Sequence, residues 1–539
     1  MWKRGDPMVW LTGGSLAVCL FMIITVVGII LVNGLAFFWP REVTLTTMKD
    51  GAKHLAIFRQ AETVPPGLAR DQGLTRNPHR RMVMVANRDF YSQDFVWIND
   101  QDIVAQEKPS EVWVLDRHEY GPFIGFVRAL QEGDRRLEGE AASAALSSAI
   151  RRTQKIWREI YRVERVQIGR VNALLEKARL DTLRAERETG PARGRRLRDL
   201  GERTASLQRE YETLVARVTK LREEGARHTV TLADIQGTAK TLGLLGVIEG
   251  WQPNRMGVVG KAGHYLKGLW TFLADNPREA NTEGGIFPAL FGTAMMVILM
   301  SLAVVPFGVL TAFYLCEYAT QGPFVRAVRI ALNNLAGVPS IVYGVFGLGF
   351  FVYFLGGSID RLFYPEVLPT PTWGTGGILW ASLTLALLTV PVVVMATEES
   401  ISAVPRGMRE GSLALGASKF QTLIRILLPA SLPGILTGVI LAMARGAGEV
   451  APLMITGVVK LAPSLPVDGI SPFLHLERKF MHLGFHIYDV GFQSPNVEAS
   501  RPMVFTTALL LILLVIALNL GAILLRDLMR RRYATGAFN

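Results

Sequence analysis

Six stretches of this chain are long and apolar enough to cross a lipid bilayer, and nothing else constrains its fold as tightly. A helix spanning the hydrocarbon core needs about 20 predominantly apolar residues, because its backbone polar groups must be satisfied within the segment. Residues 9–38, 287–314, 335–355, 378–395, 432–456 and 504–524 meet that requirement. The first follows Lys3 and Arg4, as a secretory signal would. Its apolar core is too long for that role and no small-residue cleavage site follows, so it reads as an uncleaved anchor.

Lys and Arg in short loops set orientation. Arg526, Arg530, Arg531 and Arg532 close the chain, Arg326 and Arg329 lie between the second and third spans, and Arg406, Arg409, Lys419 and Arg425 lie between the fourth and fifth. The loop between spans three and four holds only Arg361. This pattern predicts six spans with both termini on the cytoplasmic side. The block 41–280 then lies outside, since long domains are exempt from the charge rule.

That block is a different material. It holds 40 of the 58 Lys/Arg and 32 of the 46 Asp/Glu, leaving 18 and 14 for the other 299 residues. The block is therefore about 30% charged, near the roughly 25% usual for soluble domains, and the remainder about 11%. The net charge of +12 comes with no basic patch interleaved with aromatics, so a nucleic-acid partner is not indicated. Cys19 and Cys316 both sit in apolar runs, which excludes a disulfide framework and a cysteine-based metal site.

Within the block, residues 41–130 show strand-like runs: Val43-Thr-Leu-Thr, Met82-Val-Met-Val and Val112-Trp-Val-Leu. From about Arg135 the period becomes helical. Leu197, Leu200, Thr204, Leu207, Tyr211, Leu214, Val218 and Leu221 step by three and four, and Ile150, Trp157, Ile160, Val163, Val171, Leu174 and Ala178 form a looser stripe before them. Gly190-Pro191 separates the two. The expectation is an antiparallel coiled-coil hairpin over 135–225, roughly 50 Å or more long. It is either a solvated structural arm or a docking arm. Residues 226–280 return to the membrane, with an amphipathic helix over 258–273 whose Lys261 and Lys267 suit lipid headgroups.

Motifs for chemistry in this chain are few. Gly257-Val-Val-Gly-Lys261-Ala262 has the wrong glycine spacing for a phosphate-binding loop and alanine where a metal-binding hydroxyl is needed. ATP chemistry therefore belongs to another chain. His482 and His486, with His475 and Asp489 nearby, have metal-like spacing, but the segment 458–501 reads as a packed extracytoplasmic loop and no metal is expected.

The informative stretch is 398–456. Between spans four and five, two short helices are expected: 410–415, stopped by Gly416, and 419–428, stopped by Pro429. The spacing Glu410-x5-Gly416-x9-Ile426-x-Leu428-Pro429 resembles the EAA loop of ABC importer permeases, with Gly411 and Ser412 in place of its two alanines. The resemblance implies that this loop docks into a cytosolic ATPase. Gly337-Val-Pro-Ser-Ile-Val-Tyr-Gly344, Gly284-Gly-Ile-Phe-Pro-Ala-Leu and Ala444-Arg-Gly-Ala-Gly-Glu-Val-Ala-Pro-Leu453 narrow the resemblance to phosphate importer permeases of the PstA type, over about 284–527. It implies a bacterial inner-membrane subunit without cofactor or catalytic residues of its own. Its implied partners are a second permease (PstC type), an ATPase dimer (PstB type) holding ATP and Mg, and an extracytoplasmic phosphate-binding protein (PstS type).

Arg445 and Glu449 lie within an apolar span, where an arginine costs about 2.5–3.5 kcal/mol and faces a polar interior or a partner. They form either an internal ion pair or a cationic point on an anion path, for which the multi-donor guanidinium suits phosphate. The resemblance also implies an acidic residue at the end of the fourth span, matched by Glu398. Three residues earlier the family's arginine is replaced by Met395.

The expected fold is therefore an all-α polytopic membrane protein of the ABC importer permease type, with an α+β extracytoplasmic insert. The expected divisions are an anchor 1–40, an insert 41–280, a permease core 281–530 with coupling loop 398–430, and a tail 531–539. Import of another oxyanion (phosphonate, sulfate, molybdate) and a membrane signalling protein with a coiled-coil sensor are the competing functions. An intramembrane hydrolase lacks a nucleophile–base pair.

Overall fold

The structure is a computed structural model that describes residues 6–64, 79–91, 94–494 and 497–534. Lys3, Arg4 and the last five residues of the expected tail 531–539 lie outside the described residues. The chain forms two compact units. One comprises Met1–Phe37, Leu273–Asn281 and Ile286–Asn539; the other comprises Phe38–Phe272 and Thr282–Gly285.

Among the described residues the first unit contains six helices long and apolar enough to cross a membrane: Met8–Ala36, Phe287–Tyr318, Ser340–Phe363, Ile378–Ser402, Lys419–Gly448 and Ser500–Leu528. This is a multi-pass helical membrane protein. The fourth span is its centre, packed against the second and fifth along its length. It buries Ile378, Ala381, Leu385, Leu388 and Val393, and its hydroxyls Ser382, Thr384, Thr389 and Thr397 each donate to a carbonyl four residues back. Polar groups in an apolar bundle are thus satisfied within their own helix. The first span packs on the sixth, where Thr506 Oγ1 donates to the Gly34 carbonyl at 3.0 Å, and is otherwise exposed as a lipid-facing helix should be.

Two of the departures from the hydropathy reading are set by breaks in the backbone. The third span begins at Ser340 rather than 335, because Leu335 ends a separate amphipathic helix, Pro323–Leu335. Pro339, which cannot donate an amide, and Gly337 enforce the break. The fifth span covers Lys419–Gly448 rather than 432–456. Glu449 is extended (ψ 135°), and a separate short helix, Ala451–Thr456, starts with Pro452 in its first turn.

The second unit is built on two antiparallel sheets. Strands β1 (Val43–Met48), β2 (Lys53–Thr63), β3 (His79–Met84), β4 (Phe95–Asn99) and β5 (Ile103–Glu107) form the first, in order β4-β3-β2-β1-β5. The second contains β6 (Trp113–Arg117), β7 (Phe123–Glu132), β8 (Arg135–Glu138), β9 (His228–Ala233), β10 (Ala239–Gly243) and β11 (Val247–Trp251), in order β10-β9-β7-β6-β11 with β8 on β7. Strands β9–β11 fall in the 226–280 segment, where sequence reading expected only a return to the membrane. Their alternation is real, since Val230 and Leu232 point inward while Thr229 and Thr231 do not. Val43, Leu55, Ile57 and Met84 of the first sheet share a core with Val112, Val114 and Ile124 beside the second.

Between β8 and β9 the chain makes two long helices. The first runs Gly139–Arg162 and Gly169–Arg187 with a π-turn, Val163–Ile168, between; the second is Arg193–Ala226. Buried residues step Ile160, Val163, then Val171, Ala178, Ala185. The eight-residue stride from Val163 to Val171, in place of seven, is the extra residue of the π-turn, which keeps both stretches on one face. Val163 packs in a cluster with Val218 and Leu214 of the second helix, and the pairs Glu159–Arg217 (2.5 Å) and Glu164–Arg222 (2.7 Å) flank it.

At the hairpin's base, Asp89 accepts from Arg117 (2.9 Å) and Lys240 (2.7 Å). Burial pushes its carboxyl up, but the hydrogen bonds from Arg117 and Lys240 outweigh it and hold Asp89 at about 2. Lys261 and Lys267, expected to reach headgroups, pair instead with Glu42 (2.9 Å) and Glu249 (2.7 Å).

Candidate functional site

The loop between the fourth and fifth spans is a locked helical corner. Its first helix, Arg406–Ala414, ends in paired hydrogen bonds: Gly416 N donates to the Leu413 carbonyl (3.0 Å) and Ala417 N to that of Ser412 (3.2 Å). This is a Schellman closure, which needs a left-handed residue at Gly416, and its φ is +83°. Ser418 then starts the second helix with a capping box, its Oγ accepting from Gln421 N (3.2 Å) and its N donating to Gln421 Oε1 (2.9 Å). The Ser-x-x-Gln signature of that box is legible in the sequence.

Of the residues assigned to the loop, Glu410, Gly411 and Gly416 are exposed, and Ile426, Leu428 and Pro429 are half-buried. Ser412 faces inward, where its hydroxyl meets that of Thr422 at 2.9 Å and ties the two helices together. The corner presents apolar side chains outward: Leu413, Phe420, Ile424 and above all Leu415, 91% exposed. Leu423 and Leu427 turn the other way into a cluster with Phe313, Val394 and Ile401. Arg409, which the sequence marks only as a charge setting orientation, pairs with Glu317 at the end of the second span (2.8 Å).

Pro429 does not stop the second helix. Lys419–Thr422, a π-turn Leu423–Leu427 and Leu428–Gly448 run on as the fifth span, with Pro429 and Pro433 inside. A widened turn is a recognised way for a helix to absorb the amide that proline lacks.

Arg445 lies in the last turn of this span, 38% exposed, with Nε 3.7 Å from Glu449 Oε1. Glu449 has left the helix, so the pair bridges the helix end rather than one continuous face. Gly446 beside it packs on Met300 of the second span, and Gly344 packs on Pro452, so the 337–344 and 444–453 motifs meet. Glu398 is elsewhere. It accepts from Arg329 Nε (3.2 Å), with Cys316 Sγ at 3.9 Å. Gly434 abuts Ser400 and Gly438 abuts Ala396, which places Glu398 level with residue 436. Arg445 is nine residues further, about 13 Å along the helix axis. The three residues assigned to a substrate pathway are therefore not one site: Arg445 and Glu449 are together and Glu398 is apart.

In the 458–501 segment the histidines hold the structure together. His482 caps the helix Leu483–Tyr488, its Nδ1 accepting from Gly484 N (3.1 Å), and Leu483 N donates to Thr293 Oγ1 of the second span (2.9 Å). Burial pulls His482 down to about 3 and His486 down to about 4. His475 sits between Asp468 (3.1 Å) and Glu477 (3.2 Å). Asp489 is ion-paired with Lys460 (3.0 Å) and accepts from Asn281 Nδ2 (3.0 Å). Among the described residues no group of three or more His, Cys, Asp or Glu is arranged to hold a metal ion.

Residues 304–535 match the family described as binding-protein-dependent transport system inner membrane component. The phosphate transport system permease protein PstA of Mycobacterium leprae is 34% identical over 264 residues, which is 49% of this chain and 77% of that protein. PstA 1 of Mycobacterium tuberculosis is 34% identical over 266 residues, 49% of this chain and 78% of the relative. A probable PstA of Methanocaldococcus jannaschii is 31% identical over 242 residues, 44% and 74% of the two chains. With three quarters of each relative spanned and the loop, the third-span motif and the Arg445 segment folded into one helical core, this chain belongs to the PstA family of phosphate transport system permease proteins.

Proposed function

We propose that the chain is the permease subunit of an ATP-driven importer that carries inorganic phosphate into the cell. The observation that carries the reading is the corner at 406–422, rigidly closed by Gly416, Ser418 and the Ser412–Thr422 bond while exposing Leu415 and Phe420. An apolar, pre-organised knob on an otherwise charged loop suits a partner that must grip and push it. A PstB-type ATPase dimer grips this loop and supplies all ATP and Mg chemistry; the chain itself is not catalytic and holds no cofactor. A PstS-type protein delivers phosphate from outside, and a PstC-type permease completes the pathway. Both termini and the 398–430 loop are cytoplasmic in the bacterial inner membrane, and the insert 41–280, with its coiled-coil hairpin over 135–225, is periplasmic.

Arg445 is the cation on the anion's route. It lies half-exposed on the core surface, with the carboxylate of Glu449 at a distance longer than a hydrogen bond. A guanidinium so placed offers donors to a phosphate without tight competition. Alternating access then exposes this point to one side and the other as ATP binds and is hydrolysed. Glu398 acts with Arg329 to hold the fourth span to the helix Pro323–Leu335. Met395, exposed one turn before Glu398, leaves other oxyanions as the competing cargo. The test is ATPase activity of the purified complex in lipid vesicles: stimulation by phosphate-loaded binding protein supports the reading, and equal stimulation by sulfate or molybdate would refute phosphate as the cargo.

A further inference from the structure

The helix Val258–Ala274 carries a face that none of the described residues of its unit covers. Its inner face is fully engaged: Phe272 is buried against Phe38 (ring centroids 5.3 Å apart), Gly268 also touches Phe38, and the His264 ring lies 4.6 Å from that of Trp251. Both lysines are committed to Glu42 and Glu249. The opposite stripe runs Val259, Gly263, Leu266, Trp270 and Ala274, in steps of four, three, four and four that share one helix face. Val259 is 87% exposed, Trp270 71% and Leu266 63%, and the stripe contains no charge.

Chain connectivity limits how far this helix can lie from the bilayer. Phe38 follows Ala36, the last residue of the first span, by two positions. A chain extends at most about 3.6 Å per residue, so Phe38 is within about 7 Å of the point where that span ends. Phe38 packs on the middle of the helix, through Tyr265, Gly268 and Phe272. The helix is thereby pinned where a membrane helix leaves the bilayer. Thirteen residues after Ala274, Phe287 opens the second span. Trp39, against Tyr265, and Trp270 supply the amphipathic indoles favoured at membrane–water interfaces.

We infer that Val258–Ala274 lies in the interfacial layer of the bilayer, with Val259, Leu266 and Trp270 seated against lipid, so that the insert rests on the membrane through this face. Because Lys261 and Lys267 are neutralised within the protein, the contact is apolar and needs neither anionic lipid nor low salt.

The test uses the full-length chain, with Cys19→Ala and Cys316→Ala, in vesicles of neutral phosphatidylcholine at high salt. Nitroxide labels are placed at Val259→Cys and Leu266→Cys, with Val18→Cys on the first span as the lipid reference and Ser206→Cys on the hairpin as the aqueous one. Labels at 259 and 266 are expected to match position 18, with an oxygen-to-nickel-chelate accessibility ratio severalfold above that at 206. A ratio like that at 206 overturns the inference, and so does shielding from both reagents, which would mean that protein covers the face. Brominated lipid gives a second reading free of labels. It is expected to quench the unmodified chain more than a Trp270→Phe variant, and equal quenching of the two likewise overturns the inference.

Discussion

Gly416 offers the sharpest test of how the loop works. Its φ of +83° closes the Schellman turn, and no atom lies within 4 Å of where a Cβ would sit. A substitution there meets no clash, and its cost is the left-handed backbone alone. That cost is about 1–2 kcal/mol for alanine and higher for a β-branched residue, while asparagine tolerates the conformation better. If the partner ATPase recognises only the closed corner, apparent affinity falls with the closed population, and each 1.4 kcal/mol is tenfold. Gly416→Ala should weaken binding of the ATPase to the reconstituted permease by up to about thirtyfold, the full factor applying where the closed corner has no stability in reserve, Gly416→Val by more, and Gly416→Asn least. Titration of the labelled ATPase onto permease vesicles gives the affinities, and phosphate moved per ATP gives the coupling. The ranking Val worst and Asn mildest is the signature of backbone strain. Equal damage from Asn and Val, or full binding by Gly416→Val, would refute the argument.

Three further outcomes follow from the same structure. Arg445→Ala should abolish phosphate uptake while the complex assembles normally, and Arg445→Lys should restore part of it; normal uptake by the alanine variant, measured with radiolabelled phosphate, removes Arg445 from the pathway. Asp89→Asn takes the carboxylate from buried Arg117 and from half-exposed Lys240; the loss to the buried guanidinium should cost about 3–5 kcal/mol and expose β6, β7 and β10 to amide exchange in the full chain; unchanged protection would show the triad is not holding the base of the hairpin. His482 and His486, held near 3 and 4, stay neutral when folded, whereas unfolded they take up protons below about pH 6.5. Local stability is therefore complete above about 6.5 and falls by about 1.4 kcal/mol per pH unit for each histidine down to about pH 4. Amide exchange of 483–488, corrected for its intrinsic pH dependence, should rise accordingly, and a flat profile sinks the burial argument.

Much of this was legible because it is written in local periods. Six apolar runs mark six candidate spans, and steps of three and four mark the long helices between β8 and β9. Gly416 was recognisable as a helix stop because a left-handed turn selects glycine. What escaped lies where local signals conflict. Pro429 reads as a terminator, yet the wide turn Leu423–Leu427 precedes it and the helix runs on. Apolar character continues through Glu449 and Val450, so hydropathy does not register the backbone break there. Strands β9–β11 follow a 34-residue helix, in a segment the sequence marks only as a return to the membrane. Arg409–Glu317, Asp89–Arg117 and Asp489–Lys460 join residues far apart in the chain, and such pairings leave no periodic trace.

The wide turn in the fifth span has a mechanical meaning. From Leu428 the helix carries Pro429 and Pro433 in its first two turns, and the wide turn Leu423–Leu427 precedes them beside the exposed corner; with two amide bonds withheld, this is the stretch at which the span would bend as a joint. Arg445 stands about 27 Å beyond that joint. A swing of about 10° there would sweep its guanidinium through about 5 Å, more than the width of a phosphate contact. The same helix can thus be both handle and lever, converting a small rotation at its gripped end into a large translation of one charge.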